Sequence, residues 1–409
     1  MTHPSESESV SANEAKLPRR DWLLMPAIGL LTICIMAVSL ESTGAYMFPS
    51  LGMGRAKCMV VNDPSTGVRG MPDCVCTIRL PEGQPTEYRF NSCGHRAGME
   101  CGPKAPGTYR IVMVGSSYGF GYGTDRERTF AALLPAKLTQ LTGHKIELYN
   151  EAMNWENPHV VLLRFNDVLA ANPDMILWVL GVYDIDNPGD ALPEFDQPVV
   201  AGKGGAELDK SARRRVIMGR IKRAFANQSI PEAIISVCDQ TRSALLLRHF
   251  LYESQSLYVR NNLEQEGERQ QYLMAELDAR WQAQLNQVDG DAASIEARAR
   301  AAGVPLVVAF VPNRIQAAMI SIGEWPAGYD PYKLDAEMRT IVTSHGGTYI
   351  DIFPGFQRIP NPEQYYLPVD GHPTAEGHAI LSRLLATELT SGAVPALRAA
   401  TRPQNIQGQ

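Results

Sequence analysis

Two short segments carry residues whose types and spacing suit nucleophilic catalysis. Residues 115–121 read GSSYGFG and place Ser117 on a glycine-flanked turn between a strand pattern and a helix pattern. Such a turn exposes the hydroxyl and directs backbone N–H groups at the space beside it. Residues 370–373 read DGHP and put Asp370 and His372 on one loop, where a carboxylate can orient an imidazole that deprotonates a serine. Together the segments predict serine acyl transfer.

The serine turn taken alone has a second interpretation. A glycine-rich turn after a strand can bind phosphate, but residues 115–123 lack the Lys-Ser/Thr ending of a P-loop. Isolated Ser, His or Asp residues carry little information. A serine turn after the first strand, combined with Asp-x-His-Pro before the last helix, is much more specific and favours the catalytic interpretation.

An alternation of apolar strands and helices positions the two segments. The strand patterns are continuous apolar runs, as expected when helices cover both faces of a parallel sheet. The strands cover Tyr109–Gly115, Lys145–Ala152, Asp174–Asp184, Val304–Pro312 and Thr348–Phe353, and the helices cover Thr129–Thr142, Pro158–Ala171, Ala292–Ala302, Pro331–His345 and Thr374–Thr390. This pattern predicts an α/β fold with a doubly wound, flavodoxin-like sheet of five parallel strands. Ligands bind at the carboxyl ends of such strands, where both segments lie.

One long insertion interrupts this α/β domain, which we place at residues 108–395. Residues 188–287 are rich in Arg, Glu, Gln and Leu and are predicted to be helical. Residues 396–409 follow as a flexible tail.

The N-terminal region contains one candidate membrane span. Residues 22–40 carry no charge, and 19 residues come close to the length that crosses a bilayer. Lys16, Arg19 and Arg20 precede the span, so the positive-inside rule places a disordered tail, residues 1–21, in the cytoplasm. A cleaved signal peptide is the alternative, with small residues available at Ala37/Ser39 or Ser42/Gly44. The length of the apolar run favours an uncleaved anchor.

Cysteine usage indicates an oxidising compartment. Five cysteines crowd into a Gly/Pro-rich lobe and linker, residues 41–107: Cys58, Cys74, Cys76, Cys93 and Cys101. This crowding predicts at least two disulfides within the lobe. Cys238 of the insertion is a candidate partner for the remaining cysteine of the five. A zinc site is the rival interpretation, but the spacings miss the usual Cys-x2-4-Cys pattern.

Composition excludes several functional classes. The 38 Lys+Arg and 44 Asp+Glu give a net charge of −6, which argues against a general nucleic-acid-binding protein, because phosphate neutralisation needs a clustered basic surface. A hydrophobic content of 44% excludes a wholly disordered chain. With a single long apolar stretch, the chain is not a multi-span transporter.

The two segments resemble conserved blocks of the SGNH (GDSL-like) hydrolase family. Residues 115–121 are similar to block one, Gly-Asp-Ser-x-x-x-Gly, with Ser116 in place of the usual Asp, and the following TFAALL run is typical of the next helix. Residues 91–96 (NSCGHR) resemble an Asn-x-x-Gly-x-Arg element of many membrane-anchored members, and 370–373 resemble block five. The resemblance covers about Asn91–Leu385 apart from the insertion. It implies Ser117 as nucleophile, His372 as general base and Asp370 as its partner.

The middle blocks depart from the family pattern. Block two has Ala152 where the family has Gly, and block three, Gly-x-Asn-Asp, has Tyr183 where the family has its oxyanion Asn. The resemblance implies an oxyanion hole built from the N–H groups of Ser117 and Ala152. Tyr183 or Asn154 would then replace the missing Asn side chain.

The resemblance implies an SGNH-type esterase that hydrolyses O-acyl, in particular O-acetyl, esters with no metal or organic cofactor. We expect a single-pass protein of the cell membrane with a cytoplasmic N-terminus, a periplasmic catalytic domain and an acylated carbohydrate, polysaccharide or other cell-envelope ester as substrate. One rival is a cell-envelope polysaccharide O-acetyltransferase with the same triad. The other is a catalytically inactive carbohydrate-binding component.

Overall fold

The first residues that the computed structural model describes form one long helix. The structure describes residues 21–48, 58–63, 67–186, 241–265 and 270–399. Helix α1 spans Asp21–Met47, and within the described residues its segment Leu24–Met47 is the one helix long and apolar enough to cross a membrane. The predicted tail at residues 1–21 lies outside the described residues except for its last position.

The cysteine-rich lobe folds into two small antiparallel hairpins. Strand β1, Met59–Asp63, pairs with β2, Gly67–Gly70, and β3, Val75–Ile78, pairs with β4, Thr86–Arg89. Two disulfides, Cys58–Cys74 and Cys93–Cys101, join the segments around these hairpins. The prediction of at least two bridges within this lobe is confirmed.

A five-stranded parallel sheet forms the centre of the α/β domain. Its strands are β5 (Thr108–Gly115), β6 (Lys145–Asn150), β7 (Met175–Leu180), β8 (Leu306–Phe310) and β9 (Thr348–Ile350). The order across the sheet is β6-β5-β7-β8-β9, which in chain order is 2-1-3-4-5. This is the flavodoxin-like order, so the predicted doubly wound sheet is confirmed.

Helices flank the sheet, and further helices lie in the insertion. They are α2 (Ser117–Phe120), α3 (Phe130–Thr142), α4 (Pro158–Ala170), α5 (Val182–Asp186), α6 (Arg242–Leu251), α7 (Gln255–Gln265), α8 (Ala279–Ala301), α9 (Arg314–Ile322), α10 (Lys333–Ser344), α11 (Phe353–Gln357) and α12 (Ala375–Glu388). Helix α3 packs against α12, and α8 packs against both α4 and α10. Side-chain caps fix their starts: Thr129 begins α3, Asn157 begins α4 and Thr374 begins α12.

Two predicted boundaries were wrong. The predicted strand Asp174–Asp184 ends at Leu180, because the Asp184 carboxylate accepts a hydrogen bond from the Gly181 N–H and turns the chain into α5. The predicted helix Ala292–Ala302 begins much earlier, at Ala279, because the side chain of Asp278 caps it by accepting from the Trp281 N–H at 2.9 Å.

The described part of the insertion is helical, as predicted. It contains α6 and α7, and the proposed end of the insertion at residue 287 falls inside α8. The rest of the insertion up to residue 240, Cys238 included, lies outside the described residues.

Disulfide mapping tests the lobe. Non-reducing peptide mapping of protein from its native compartment should recover Cys58–Cys74 and Cys93–Cys101. Because those four cysteines are already bonded, we expect Cys238 to be recovered with Cys76. Alkylation of Cys76 and Cys238 without prior reduction would contradict this pairing, and Cys34 in α1 serves as the thiol control.

Candidate active site

The serine turn lies at the carboxyl end of β5, the strand that pairs with both β6 and β7. Gly115 ends the strand with φ +136°, and a Cβ at this position would lie 2.1 Å from the Val179 carbonyl oxygen of β7. Only glycine fits this approach. Ser117 then begins α2, so its N–H has no carbonyl in a preceding turn to donate to.

The three predicted catalytic side chains form one chain of hydrogen bonds. The Ser117 Oγ lies 2.8 Å from the Nε2 of His372, and the Nδ1 of His372 lies 2.7 Å from the Oδ1 of Asp370. Asp370 Oδ1 also accepts from the His372 backbone N–H at 3.2 Å. Sequence positions 255 residues apart are therefore in direct contact.

The electrostatics of this chain favour an ionised Asp370. Burial, the largest influence, would raise its pKa, but the electrostatic interaction with the His372 ring and the hydrogen bonds from His372 together outweigh burial and hold the pKa of Asp370 below its ordinary value. An ionised carboxylate only accepts hydrogen bonds, so His372 carries its proton on Nδ1. The Nε2 is then the acceptor for the Ser117 hydroxyl.

A tight turn presents Asp370 and His372. Gly371 at its tip has φ +84°, the Gly371 N–H donates to the Leu367 carbonyl at 3.0 Å, and the Leu367 N–H donates to the His372 carbonyl at 2.8 Å. The rings of Tyr118 and Tyr122 lie beside the imidazole, with centroids 5.6 and 4.6 Å away. The turn and the two rings fix the direction of the base.

Arg96 of the lobe holds the serine turn through hydrogen bonds to its backbone carbonyls. Its guanidinium is almost fully buried and donates to the carbonyls of Phe120 at 2.7 Å, Gly121 at 2.6 Å and Thr124. These carbonyls belong to the last residue of α2 and to the turn that follows it, so Arg96 holds this turn in place. The sequence had placed Arg96 in a family element without giving it a role.

Glu82 of the lobe was missed altogether by sequence reasoning. Its buried carboxylate accepts hydrogen bonds from the backbone N–H groups of Val369 and Asp370, both at 2.8 Å. No motif surrounds this residue in the sequence, and only its contact with the catalytic loop identifies it.

The candidate oxyanion residues of block two follow β6. The Ala152 N–H donates to the Asn150 Oδ1 at 3.2 Å, and the Met153 N–H donates to the Gly115 carbonyl at 3.0 Å. This loop, with the buried side chain of Asn154, therefore lies beside the end of β5 that carries the serine turn. An oxyanion at the Ala152 N–H has to compete with the Asn150 side chain.

Tyr183, the candidate from block three, lies on α5. Its side chain is 55% exposed and lines a small polar pocket of about 130 Å³. The pocket is also lined by Asp370 and Gly371, and by Tyr252, Tyr258, Tyr272, Asn313 and Arg314. Tyr183 is thus beside the catalytic loop, and its role as an oxyanion donor stays a prediction.

Ser116, which departs from the family's Asp, contacts the buried Asp184. The Asp184 carboxylate accepts from the Ser116 hydroxyl at 2.9 Å and from the Gly181 N–H at 2.7 Å. Burial raises the pKa of Asp184 to about 7, although both hydrogen bonds oppose the rise. The Ser116 hydroxyl thus supplies a hydrogen-bond donor to this buried carboxylate.

The raised pKa of Asp184 predicts how stability depends on pH. The folded state keeps a proton that the unfolded state releases above about 3.8, so this stabilisation is full at lower pH and is lost as pH rises to about 7. Asp184→Asn keeps an acceptor for Ser116 and Gly181 but cannot ionise.

Urea unfolding at a series of pH values checks this prediction. The free energy of unfolding should fall less steeply between pH 4 and pH 7 in Asp184→Asn than in the native chain, with Asp186→Asn on the same helix as the matched control. An unchanged slope would contradict the assignment.

Comparison with known proteins gives one family match and several structural similarities. The model of the GDSL-like Lipase/Acylhydrolase family matches residues 113–380. A comparison with curated proteins finds no match. The solved structures that are similar include LAE5, an alpha/beta hydrolase enzyme from the metagenome of Lake Arreo, Spain, at 14% identity, covering 71% of this chain and 97% of that chain with a TM-score of 0.37.

Two further structures have similar values. TesA is 13% identical and covers 69% of this chain and 98% of its own, with a TM-score of 0.35. A catalytic mutant of Axe2, an acetylxylan esterase from Geobacillus stearothermophilus, is 11% identical and covers 69% and 94%, also at 0.35. The family assignment depends on the match to the family model, which extends over more than half of the 409 residues. The chain belongs to the GDSL-like lipase/acylhydrolase family, as its resemblance to the SGNH blocks predicted, and is an enzyme that acts on ester bonds.

Proposed function

We propose that this enzyme is an extracytoplasmic serine esterase that removes O-acyl groups, in particular O-acetyl groups, from a carbohydrate or other cell-envelope ester. The observation that carries the proposal is the continuous hydrogen-bond chain from Ser117 through His372 to Asp370. It lies at the carboxyl ends of the parallel strands, where ligands bind in open α/β sheets.

The geometry supports acyl transfer in two halves. His372 Nε2 takes the proton of Ser117 as the Oγ attacks the ester carbonyl carbon, and Asp370 stabilises the resulting imidazolium. The imidazolium then gives this proton to the leaving sugar oxygen, which leaves an acyl group on Ser117. Water, deprotonated by His372, attacks the acyl carbon and releases the carboxylic acid and the free serine.

The oxyanion of each tetrahedral intermediate needs preorganised donors. In this mechanism the N–H groups of Ser117 and Ala152 supply two of them, and each donor in such a site is worth about 10²–10³ in turnover. Tyr183 and Asn154 are the candidates for a side-chain donor.

The polar pocket beside the catalytic loop supports a small acyl group. Its volume of about 130 Å³ is well below that of sites for drug-sized ligands, roughly 300–1,000 Å³. Tyrosine, asparagine and arginine side chains dominate its lining, which offers a long alkyl chain little apolar surface to contact. An acetyl group or a hydroxyl-bearing sugar suits this lining.

Contacts of α1 with the folded domain support a membrane anchor that is retained. Glu41 accepts hydrogen bonds from the Ser243 N–H at 2.9 Å and from its hydroxyl at 2.8 Å. Leu40 and Phe48 pack with Leu245 in a small apolar cluster. Cleavage after Gly44 would remove Leu40 and Glu41 from these contacts. We therefore retain the predicted arrangement: anchor at residues 22–40, cytoplasmic N-terminus and periplasmic catalytic domain.

A polysaccharide O-acetyltransferase is the second candidate, and the oxyanion region favours it. The Ala152 N–H already donates to Asn150, and Tyr183 replaces the family's Asn. A weak oxyanion hole slows attack by water. A bound sugar hydroxyl gains effective concentration from its position and tolerates this loss better.

The triad predicts the effect of single substitutions. Ser117→Ala and His372→Ala should each lower turnover of p-nitrophenyl acetate by about 10⁴-fold or more, and the double variant should be no worse, because nucleophile and base act as a unit. Asp370→Asn should cost less if His372 keeps a backbone partner. A fluorophosphonate should label the native chain and Ser116→Ala at Ser117. Full turnover by Ser117→Ala would place the nucleophile elsewhere.

The departures from the family pattern at Ala152 and Tyr183 predict how an added acceptor changes the rate of acyl release. We expect slow hydrolysis of p-nitrophenyl acetate and faster acyl release when a polysaccharide acceptor is added. Tyr183→Asn should raise simple-ester hydrolysis, by up to about 10²-fold if it restores a full donor.

Three results would separate the alternatives. Rapid hydrolysis of p-nitrophenyl acetate that is unaffected by the added acceptor and abolished by Tyr183→Phe would show that the tyrosine hydroxyl donates to the oxyanion. Acyl transfer to the polysaccharide in place of water would favour the transferase. An absence of acyl chemistry with Ser117 unreactive would favour an inactive binding component.

A further inference from the structure

We propose that Glu82 is a positioning residue that holds Asp370 in line with His372, and that His249 orients the Glu82 carboxylate for this task. The proposal rests on the serine mechanism of the preceding section. It assigns a part in catalysis to two regions outside the core fold, the disulfide-bonded lobe and the helical insertion.

The contacts of Glu82 are all of hydrogen-bond length. Its Oε2 accepts from the backbone N–H groups of Val369 and Asp370, both at 2.8 Å, and its Oε1 lies 2.7 Å from the Nδ1 of His249. The side chain is 1% exposed. A carboxylate so deeply buried is costly unless donors surround it, and here three donors converge on it from two separate elements.

The position of these contacts explains what they do. Val369 and Asp370 lie in the turn from Leu367 to His372, whose tip is Gly371 with φ +84°. Two backbone N–H groups directed at one anion fix the position of the peptide units on both sides of Val369. The Asp370 side chain starts from this fixed backbone, and its Oδ1 meets His372 at 2.7 Å. Glu82 thus acts on the base through Asp370.

His249 holds the other oxygen of the carboxylate. It lies on α6, and its ring packs edge-on against Phe48, with centroids 5.2 Å apart. A carboxylate held by one oxygen only can rotate about its last bond. With Oε1 fixed by His249, Oε2 stays directed at Val369 and Asp370.

Substitutions at Glu82 and His249 test the proposal in the full-length chain. Glu82→Gln keeps one acceptor oxygen but loses the charge, and Glu82→Ala removes both acceptors. His249→Ala leaves the carboxylate in place and removes its second support. The matched control is Glu87→Gln, on β4 of the same lobe, whose half-exposed carboxylate pairs with Arg89.

The readouts separate positioning from folding. They are kcat and KM for p-nitrophenyl acetate, the rate of Ser117 labelling by a fluorophosphonate, and the thermal unfolding temperature. We expect Glu82→Gln to lower kcat about tenfold, because a neutral amide replaces the charged acceptor of two hydrogen bonds, while KM stays within about twofold. The labelling rate should fall in parallel. The fall in kcat should be larger for Glu82→Ala than for Glu82→Gln and smaller for His249→Ala. Glu87→Gln should keep the kcat and the labelling rate of the native chain.

The outcomes are distinct. A native kcat in both Glu82 variants, with Ser117 labelled normally, would overturn the positioning role and leave the serine mechanism intact. A fall in activity that appears only in KM, or only in step with the fraction of unfolded protein, would also overturn it. If Glu82→Ala does not fold, the kcat of Glu82→Gln and of His249→Ala decides. A native chain whose Ser117 is unreactive would overturn the serine mechanism and this inference with it.

Discussion

The hydrogen bond between Ser117 and His372 is the constraint on which the rest of the structure depends. It joins residues 255 positions apart at a length of 2.8 Å, and a proton moves along it only if both ends are fixed. The parallel sheet supplies the first requirement, because it brings the ends of β5 and the loop before α12 to one edge. Fixing each end to within a fraction of an ångström needs further contacts.

The disulfide-bonded lobe supplies such contacts at both ends. Buried Arg96 donates to the carbonyls that follow α2, and buried Glu82 accepts from the N–H groups of the catalytic loop. A cation therefore meets backbone carbonyls and an anion meets backbone N–H groups, so each buried charge has hydrogen-bond partners of opposite polarity. In the mechanism that we propose, the lobe therefore supports both ends of the triad in addition to forming its own small core.

The sequence predicted features that depend on neighbouring residues better than features that depend on residues far apart in the chain. The five strands were predictable, since continuous apolar runs are local signals, and their alternation with helices predicted the doubly wound sheet. Residues 279–287 were predicted to be helical as part of the insertion, but their continuity with the helix predicted from Ala292 was not, because Asp289, Gly290 and Asp291 between them are poor helix formers. Ser117, His372 and Asp370 sit in recognisable motifs. Glu82 is a single carboxylate in a Gly/Pro-rich segment, and only its three-dimensional contacts distinguish it.

Because Glu82 lies in a disulfide-bonded lobe, the onset of activity depends on when the disulfides form. Cys58–Cys74 and Cys93–Cys101 hold the segments on either side of the hairpin that carries this residue. In the extracytoplasmic location that we propose, such bonds form after export, because the cytoplasm keeps thiols reduced. A newly synthesised chain would then meet the cytosolic pool of acyl esters with its catalytic loop still unsupported. Formation of the two disulfides outside the cytoplasm would then keep the esterase inactive during synthesis and activate it only where the cell envelope offers its substrate.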